Sequence, residues 1–176
     1  MKNLKTFEEF LLETSEAFQY HHKNGLDITN SIFRLGSDAY VSLFEETKKY
    51  WDEGNIILKG KSAWMAKNLM VGKKGYHDGR EVELDIPKRG GEGKKFYVFH
   101  SDGEKDKEGR LKAYKIEWGD SSLAIKNADE GAAASFWARQ QCDLKKKMDP
   151  STAGFWACYA PSLFTKQLGL DSDQPW

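Results

Sequence analysis

Apolar residues recur at three- and four-residue spacing in two stretches of the first half of the chain. Leu4, Phe7, Leu11 and Phe18 share one face of a helix that we predict from about residue 3 to residue 20, and Asn24-Gly25 would end it. A second helix is predicted between an N-cap at residue 37 and a stop at residue 54, with a short third helix over residues 63–70. Most of the remaining stretch from residue 56 to residue 93 is predicted to be loop.

The hydrophobic period changes to two in the second half. Residues 95–100 and 111–118 are aromatic and β-branched runs, which predict a hairpin with a long loop, and residues 122–126 predict a third short strand. Asp129 would cap an Ala-rich helix over residues 132–141, packed against these strands. Segregated helices and a small antiparallel sheet predict an α+β fold with a helical N-terminal half.

The same pattern suggests four parts. Residues 1–24 form an amphipathic segment, residues 25–86 a helical region with a Gly-rich connection, residues 87–170 a small α+β module, and residues 171–176 a tail. With 176 residues and 20.1 kDa, the chain is long enough to bury a core.

The balance of basic and acidic residues limits the classes of partner that we expect. Lys plus Arg and Asp plus Glu both number 27, so the chain lacks the basic excess typical of nucleic-acid-binding domains, and nucleic acid is only a secondary candidate partner. Residues 59–95 are locally basic, which we interpret as a solvated loop region, with phosphate contact as the alternative. No apolar run approaches the roughly 18 residues of a membrane span, and Glu8-Glu9 interrupts any secretory signal, so we expect a protein made in a cytosol, not exported and without a membrane partner.

The two cysteines, Cys142 and Cys158, stand sixteen residues apart, so they could form one disulfide or half of a four-ligand metal site. Reduced, partly buried thiols are the default expectation for a cytosolic protein. The histidines stand at no metal-ligand spacing from either cysteine, so we expect no metal and no cofactor.

Catalytic motifs are missing from the sequence: it contains no nucleophile elbow, no phosphate loop and no His-Glu-x-x-His. Asp120 is the most interesting carboxylate, but a turn-forming aspartate is the more common reading. We therefore assign no catalytic residue, and an enzyme is disfavoured. An aromatic cluster around the cysteines is interpreted as core, comprising Phe136, Trp137, Phe155, Trp156, Tyr159 and Phe164.

Several blocks in order resemble a module of uncharacterised proteins from T-even-like tailed bacteriophages, especially marine and cyanobacterial myoviruses. The blocks are Lys88-Arg89-Gly90-Gly91, Trp118-Gly119-Asp120, Ser135-Phe136-Trp137-Ala138-Arg139 and Phe155-Trp156-Ala157-Cys158. The family usually has Ala-Arg-His-x-Cys, whereas Gln140 occupies the histidine position here. The resemblance and this departure imply a structural role, without metal, for Trp118, Asp120, Phe136, Arg139, Cys142, Trp156 and Cys158.

The first thirteen residues resemble the capsid-targeting peptides of internal head proteins of such phages. Those peptides are amphipathic helices that end in Leu/Ile-x-Glu, which the phage prohead protease cuts, and Leu11-Leu12-Glu13 fits that tripeptide. Leu43-Phe44-Glu45 fits it as well, so the tripeptide alone is not specific. An ordinary first helix packed on the domain is the alternative.

The resemblance implies a non-enzymatic bacteriophage protein associated with, or packaged in, the virion head. It would be located in the virion, and in the host cytoplasm during infection, with phage head or scaffold proteins as partners. One alternative is an effector that binds and inhibits a host enzyme or defence complex. The other is a nucleic-acid-acting enzyme that uses Asp120, Arg139 and a histidine.

Arg139 is predicted to be the most consequential charged residue of the module, with a structural role. A buried guanidinium needs a partner, and we expect either Asp120 or backbone carbonyls of the loop between the cysteines. Phosphate binding by Arg139 is the alternative.

Overall fold

The computed structural model describes residues 14–122, 129–144, 148–164 and 168. Five α-helices, a short 3-10 turn and five strands are described in this part of the chain. In chain order they are α1 (Glu16–Lys23), the 3-10 turn (Ile28–Asn30), α2 (Asp38–Asp52), α3 (Gly60–Asn68), β1 (Lys74–His77), β2 (Arg80–Glu83), β3 (Lys88–Arg89), β4 (Lys94–His100), β5 (Tyr114–Asp120), α4 (Glu130–Gln140) and α5 (Ala153–Phe164). None of the described helices is both long enough and apolar enough to cross a bilayer.

The predicted second and third helices of the first half are confirmed, at Asp38–Asp52 and Gly60–Asn68. The predicted first helix over residues 3–20 is not continuous, because Ser15 has the extended backbone of an N-cap and α1 begins only at Glu16. Ser15 caps α1 by accepting the N–H of Phe18, and the helix ends where Asn24 caps it and Gly25 takes a φ of +63°. Ser37 caps α2 in the same way, at the predicted position. The earlier part of the predicted first helix, over residues 3–13, lies outside the described residues.

The hairpin of β4 and β5 is also confirmed. The two strands are antiparallel, and their register runs from Lys94 opposite Asp120 to His100 opposite Tyr114. The third strand of this sheet is β3, which pairs with the other side of β4. Of the third strand predicted over residues 122–126, Ser122 lies in a turn and the remaining residues lie outside the described part.

A second hairpin, β1 and β2, occupies a stretch that the sequence predicts to be mainly loop. Its strands have four residues each and little apolar alternation, so periodicity does not detect them. The connecting residues Asp78 and Gly79 have φ angles of +49° and +75°, which is the backbone of the tight hairpin turn that Asp-Gly favours. The Asp78-Gly79 pair is therefore the feature of the sequence that could have predicted this hairpin.

The main core lies between the three-stranded sheet, helix α5 and the helical half. Alternate residues of β4, Phe96 and Val98, are fully buried, while their neighbours along the strand are only half-buried or exposed. A smaller cluster of Phe18, Leu43 and Tyr50 joins α1 to α2. The predicted α+β class is confirmed, with small antiparallel sheets of two and three strands.

Candidate functional site

The aromatic landmarks of the predicted module form one stack in the core. Phe96, Trp118, Trp156 and Phe164 follow one another with ring centroids 5.7, 5.8 and 6.4 Å apart. Trp156 is fully buried, and its Nε1–H donates to the carbonyl of Pro150 at 2.7 Å. Trp118 is also buried, but its Nε1 has no hydrogen-bond partner among the residues described. This stack fills the core, as predicted from the sequence for Trp156 and Phe164.

Cys142 and Cys158 form a disulfide, so the default expectation of two reduced thiols is wrong. Gln141 caps α4 with a φ of +53°, and this left-handed residue turns the chain so that Cys142 faces α5. Both cysteines are buried, and the Tyr159 hydroxyl donates to the Cys142 carbonyl at 2.5 Å. Of the possibilities that the sequence left open, a single disulfide is the one observed.

Arg139 lies on an exposed position of α4, which corrects its predicted burial. The proposed ion pair with Asp120 is not among those that the described residues form. Instead, the exposed Asp120 carboxylate accepts the N–H and the hydroxyl of Ser122, at 2.8 and 2.6 Å. These bonds, the hydroxyl first, and the charges of Lys94 and Lys95 lower the pKa of Asp120. Asp120 is thus a turn residue. Phe136, from the same helix as Arg139, is half-buried.

Leu11 and Glu13, the predicted protease-site residues, lie outside the described part, which begins at Thr14. Thr14 and Ser15 are already attached to the helical half. The Ser15 N–H donates to Glu46 of α2 at 2.9 Å, and the Ser15 hydroxyl donates to the other oxygen of that carboxylate. The Gln19 side chain donates to the Thr14 carbonyl at 2.9 Å.

The enzymatic alternative required Asp120, Arg139 and a histidine to converge. The register of β4 and β5 separates Asp120 from His100, because they lie at opposite ends of the hairpin. Six residues of extended strand correspond to about 20 Å. The structure therefore does not bring Asp120 together with His100.

Sequence reasoning missed a polar cluster at the other end of the hairpin, around His100. The Asp85 side chain is fully buried and that of His100 is 6% exposed. The His100 Nδ1–H donates to Oδ1 of Asp85 at 2.6 Å, and the Met70 N–H donates to Oδ2 of the same carboxylate at 2.6 Å. Both carboxylate oxygens are therefore satisfied, as a buried charge requires.

The backbone supports this arrangement. Asp85 has a φ of +54°, a conformation that is costly for a residue other than glycine, and its N–H donates to the carbonyl of Phe99. This hydrogen bond connects the segment after β2 to the C-terminal end of β4, next to His100. The Asp85 carboxylate is thereby held against the imidazole.

The outward side of the imidazole faces more acidic groups. Nε2 of His100 lies 4.0 Å from Oδ1 of Asp102, whose side chain is 60% exposed. The Tyr114 hydroxyl donates to that same oxygen at 2.7 Å, and the Tyr114 ring meets the His100 ring edge-on at 5.7 Å. Burial, together with the bond to Asp102, raises the pKa of Tyr114 above its ordinary value.

Asp149, which precedes α5, completes the cluster. The charge of Asp149 contributes to the raised pKa of Tyr114, and the charge of His100 contributes to the lowered pKa of Asp149. The Asp149 carboxylate also accepts the Ser151 N–H at 2.9 Å. The Ser151 hydroxyl and N–H lower the pKa of Asp149 below its usual range, against an opposing effect of burial. We call His100, Asp102, Tyr114, Asp149 and Ser151 the acidic notch. Its outward donors and acceptors are hydroxyls, carboxylates and one imidazole nitrogen.

The sequence contained weak signals for this cluster. His100 ends a predicted strand and Asp102 follows two residues later, but Asp85 comes from the region predicted to be loop. Only the pairing of the two hairpins brings these residues together, through a bridge between Leu84 and Phe99.

Metal binding does not follow from this geometry: within residues 14–122, 129–144, 148–164 and 168, no group of three or more His, Cys, Asp or Glu side chains could hold a metal ion. No family model, no curated protein and no solved structure matches the chain. The roles of the residues above therefore rest on the geometry alone.

Proposed function

We propose that this chain is a non-enzymatic bacteriophage protein that is packaged in, or attached to, the virion head. The observation that carries the proposal is the N-cap at Ser15: helix α1 begins at Glu16, shortly after the Leu11-Leu12-Glu13 tripeptide. Cleavage after Glu13 would release a segment with an amphipathic sequence pattern and would keep the capped helix α1 in the retained chain. This is the arrangement expected of a targeting peptide joined to its cargo.

Several contacts of Thr14 and Ser15 would be kept after such a cleavage. The Ser15 N–H donates to Glu46, and the Gln19 side chain donates to the Thr14 carbonyl. Ser15 also supplies the N-cap of α1. The first helix of the retained fold would therefore keep its cap after processing.

The second Leu-x-Glu tripeptide lies in a different environment. Leu43 and Phe44 are buried inside α2, with 2% and 3% exposure. A protease must bind its substrate in an extended form, so the folded chain should be resistant at Glu45. The fold thus distinguishes two tripeptides that the sequence alone leaves equivalent.

The disulfide supports a virion location. Disulfides persist on virions and in other oxidising surroundings but are rare in a reducing cytosol. A protein that acts only inside the infected cell would gain little from Cys142 and Cys158, whereas a protein carried outside the cell could keep the bond. The expected partners are phage head or scaffold proteins.

The effector alternative shares the phage origin and differs in the partner, which would be a host enzyme or defence complex. Both proposals predict a folded chain without a catalytic constellation. They differ in the partner, and the effector reading does not require the chain to be present in the virion.

The experiment uses tagged chains produced in infected cells, followed by quantification in gradient-purified virions. We expect the parent chain to be incorporated and shortened at Glu13, and the E13Q variant to be incorporated at full length. The matched variant E45Q, in the second tripeptide, should behave like the parent chain. Absence of all three from virions would overturn the proposal and favour the effector reading.

A further inference from the structure

The disulfide between Cys142 and Cys158 joins two helices that the rest of the fold holds very unequally. Helix α5, which carries Cys158, buries seven of its twelve residues, whereas helix α4 buries only Ala133 of its eleven. Phe136 and Trp137, the large apolar residues of α4, are half-buried. Loss of the bond would therefore leave α5 anchored by its core contacts, and α4 with little buried apolar surface to hold it.

The backbone at the end of α4 also depends on this bond. Gln141 has a φ of +53°, a left-handed conformation that is costly for a residue other than glycine. The next residue, Cys142, accepts the Tyr159 hydroxyl at its carbonyl, which gives one hydrogen bond to α5 beside the covalent link. A hydrogen bond contributes far less than a covalent bond, so the left-handed turn is more easily lost once the disulfide is reduced.

The position of the bond in the fold determines how a reductant reaches it. Cys142 is 0% exposed and Cys158 is 1% exposed, so the sulfurs are shielded while the fold is closed. The neighbours of Cys142 along the chain, Gln141, Asp143 and Leu144, are all exposed. Opening of this short surface segment would uncover the disulfide, and such a local opening costs less free energy than unfolding of the whole chain.

We propose that this disulfide is a redox switch that determines whether α4 is held against α5. The thiolate of a dithiol reductant attacks one sulfur of the bond, forms a mixed disulfide and releases the other cysteine as a thiolate. The second thiol of the reductant then displaces the first cysteine and closes the reductant's own disulfide. Two electrons pass to the cysteine pair, and the two protons of the dithiol end on the cysteine thiols.

The two redox states would present different surfaces. In the oxidised chain, Trp137 of α4 meets Tyr159 of α5 edge-on. In the reduced chain, α4 would leave α5 and expose the Trp137 and Tyr159 rings together with the Cys158 thiol. Oxidising surroundings would keep the closed form, and a reducing cytosol would favour the open one. The inference does not depend on the proposed association with the virion head.

The test compares amide hydrogen exchange in the oxidised full-length chain before and after dithiothreitol is added without denaturant. We expect α4 to lose protection at least about tenfold more than α5, while α5 and the hairpin of β4 and β5 remain protected. Removal of the reductant and reoxidation should restore the protection of α4. The double variant Cys142→Ala/Cys158→Ala is the control, and dithiothreitol should cause no further change in its exchange.

A second measurement follows the rate at which free thiols appear during reduction at increasing urea concentrations below the unfolding transition. Local opening exposes little surface, so this rate should rise less steeply with urea than the exchange of the α5 amides. Equal urea dependences would mean that only global unfolding exposes the bond. That result would overturn the proposal, as would unchanged protection of α4 after reduction, equal losses in α4 and α5, or a response of the double variant to dithiothreitol.

Discussion

The two helices that follow the large hairpin are held in the fold in different ways. Helix α5 buries seven of its twelve residues, including Phe155, Trp156 and Phe164, and its Trp156 stacks on Trp118 of β5. Helix α4 buries only Ala133 of its eleven residues. Apolar burial therefore accounts for the position of α5 but not for that of α4.

The described contacts of α4 are concentrated at its C-terminal end. Trp137 meets Tyr159 edge-on at 5.6 Å, and just beyond the helix the disulfide and the Tyr159 hydroxyl hold Cys142. All three contacts are made to α5. We infer that the disulfide holds α4 in the fold, because this helix has almost no buried apolar face. Substitutions in the core and removal of the disulfide should therefore affect the two helices unequally.

The largest expected effect is that of Trp156→Ala in α5. The ring is fully buried between two aromatic neighbours, so its removal should lower the free energy of unfolding by about 3–5 kcal/mol. Equilibrium urea denaturation measures this change. A loss below about 1 kcal/mol would show that the stack does not hold α5 on the sheet.

Removal of the disulfide should have the next largest effect. The cysteines are sixteen residues apart, and closing a loop of that size contributes about 3 kcal/mol in the chain-entropy account. The double variant Cys142→Ala/Cys158→Ala should lose stability accordingly. Amide hydrogen exchange should rise in α4 far more than in α5, whereas equal increases in both helices would contradict the comparison.

The two stacked tryptophans allow a sharper test within the core. Trp156 donates its indole N–H to Pro150, whereas the buried N–H of Trp118 lacks a partner among the described residues. Trp156→Phe should therefore cost about 1 kcal/mol more than Trp118→Phe, since only the first change breaks a hydrogen bond. Equal losses of stability in thermal denaturation would show that the Pro150 bond contributes nothing.

Asp120 provides a smaller, pH-dependent effect. Its folded-state pKa is lowered by the Ser122 hydroxyl and N–H, so the carboxylate stabilises the fold above the ordinary aspartate pKa. This contribution is lost as the pH falls through the lowered folded-state pKa. Asp120→Asn should therefore melt slightly below the parent at pH 7, and the difference should shrink as the pH falls through the lowered folded-state pKa. A difference that grows on acidification would have the wrong sign.

Arg139→Ala should have the smallest effect, within about 0.5 kcal/mol, because the side chain is exposed on α4. This reverses the expectation from the sequence, in which burial next to the aromatic cluster gave Arg139 a structural role. Thermal denaturation decides between the two readings. A drop of several degrees in the melting temperature would support the sequence-based prediction that Arg139 has a structural role.

Local patterns predicted much of the fold. Apolar periodicity and N-caps located α2 and α4, and alternation located the hairpin of β4 and β5. The prediction was less successful where the structure depends on pairing between distant segments. The hairpin of β1 and β2 has too little apolar alternation to be detected, and without it Asp85 could not be placed beside His100.

The cysteines and Arg139 show a second reason for error. The thiols were expected to be reduced because a cytosolic protein was expected, which says nothing about whether the fold brings the two cysteines together. Arg139 was assigned from helical spacing, which does not report the side of α4 that faces solvent. The positive φ of Gln141 directs the chain towards α5 and makes the disulfide geometrically accessible. A non-glycine residue in that conformation leaves no clear pattern in one sequence.

The most direct test of the account is peptide mapping by mass spectrometry of purified virions, with free thiols blocked and without reduction. One experiment shows whether the chain is in the virion, where it is cleaved, and whether the disulfide between Cys142 and Cys158 is formed. We expect an N-terminal peptide that begins at Thr14 and a disulfide-linked peptide pair containing Cys142 and Cys158. Virions that lack the chain, or that contain it uncleaved at Glu13 with both thiols free, would contradict the account.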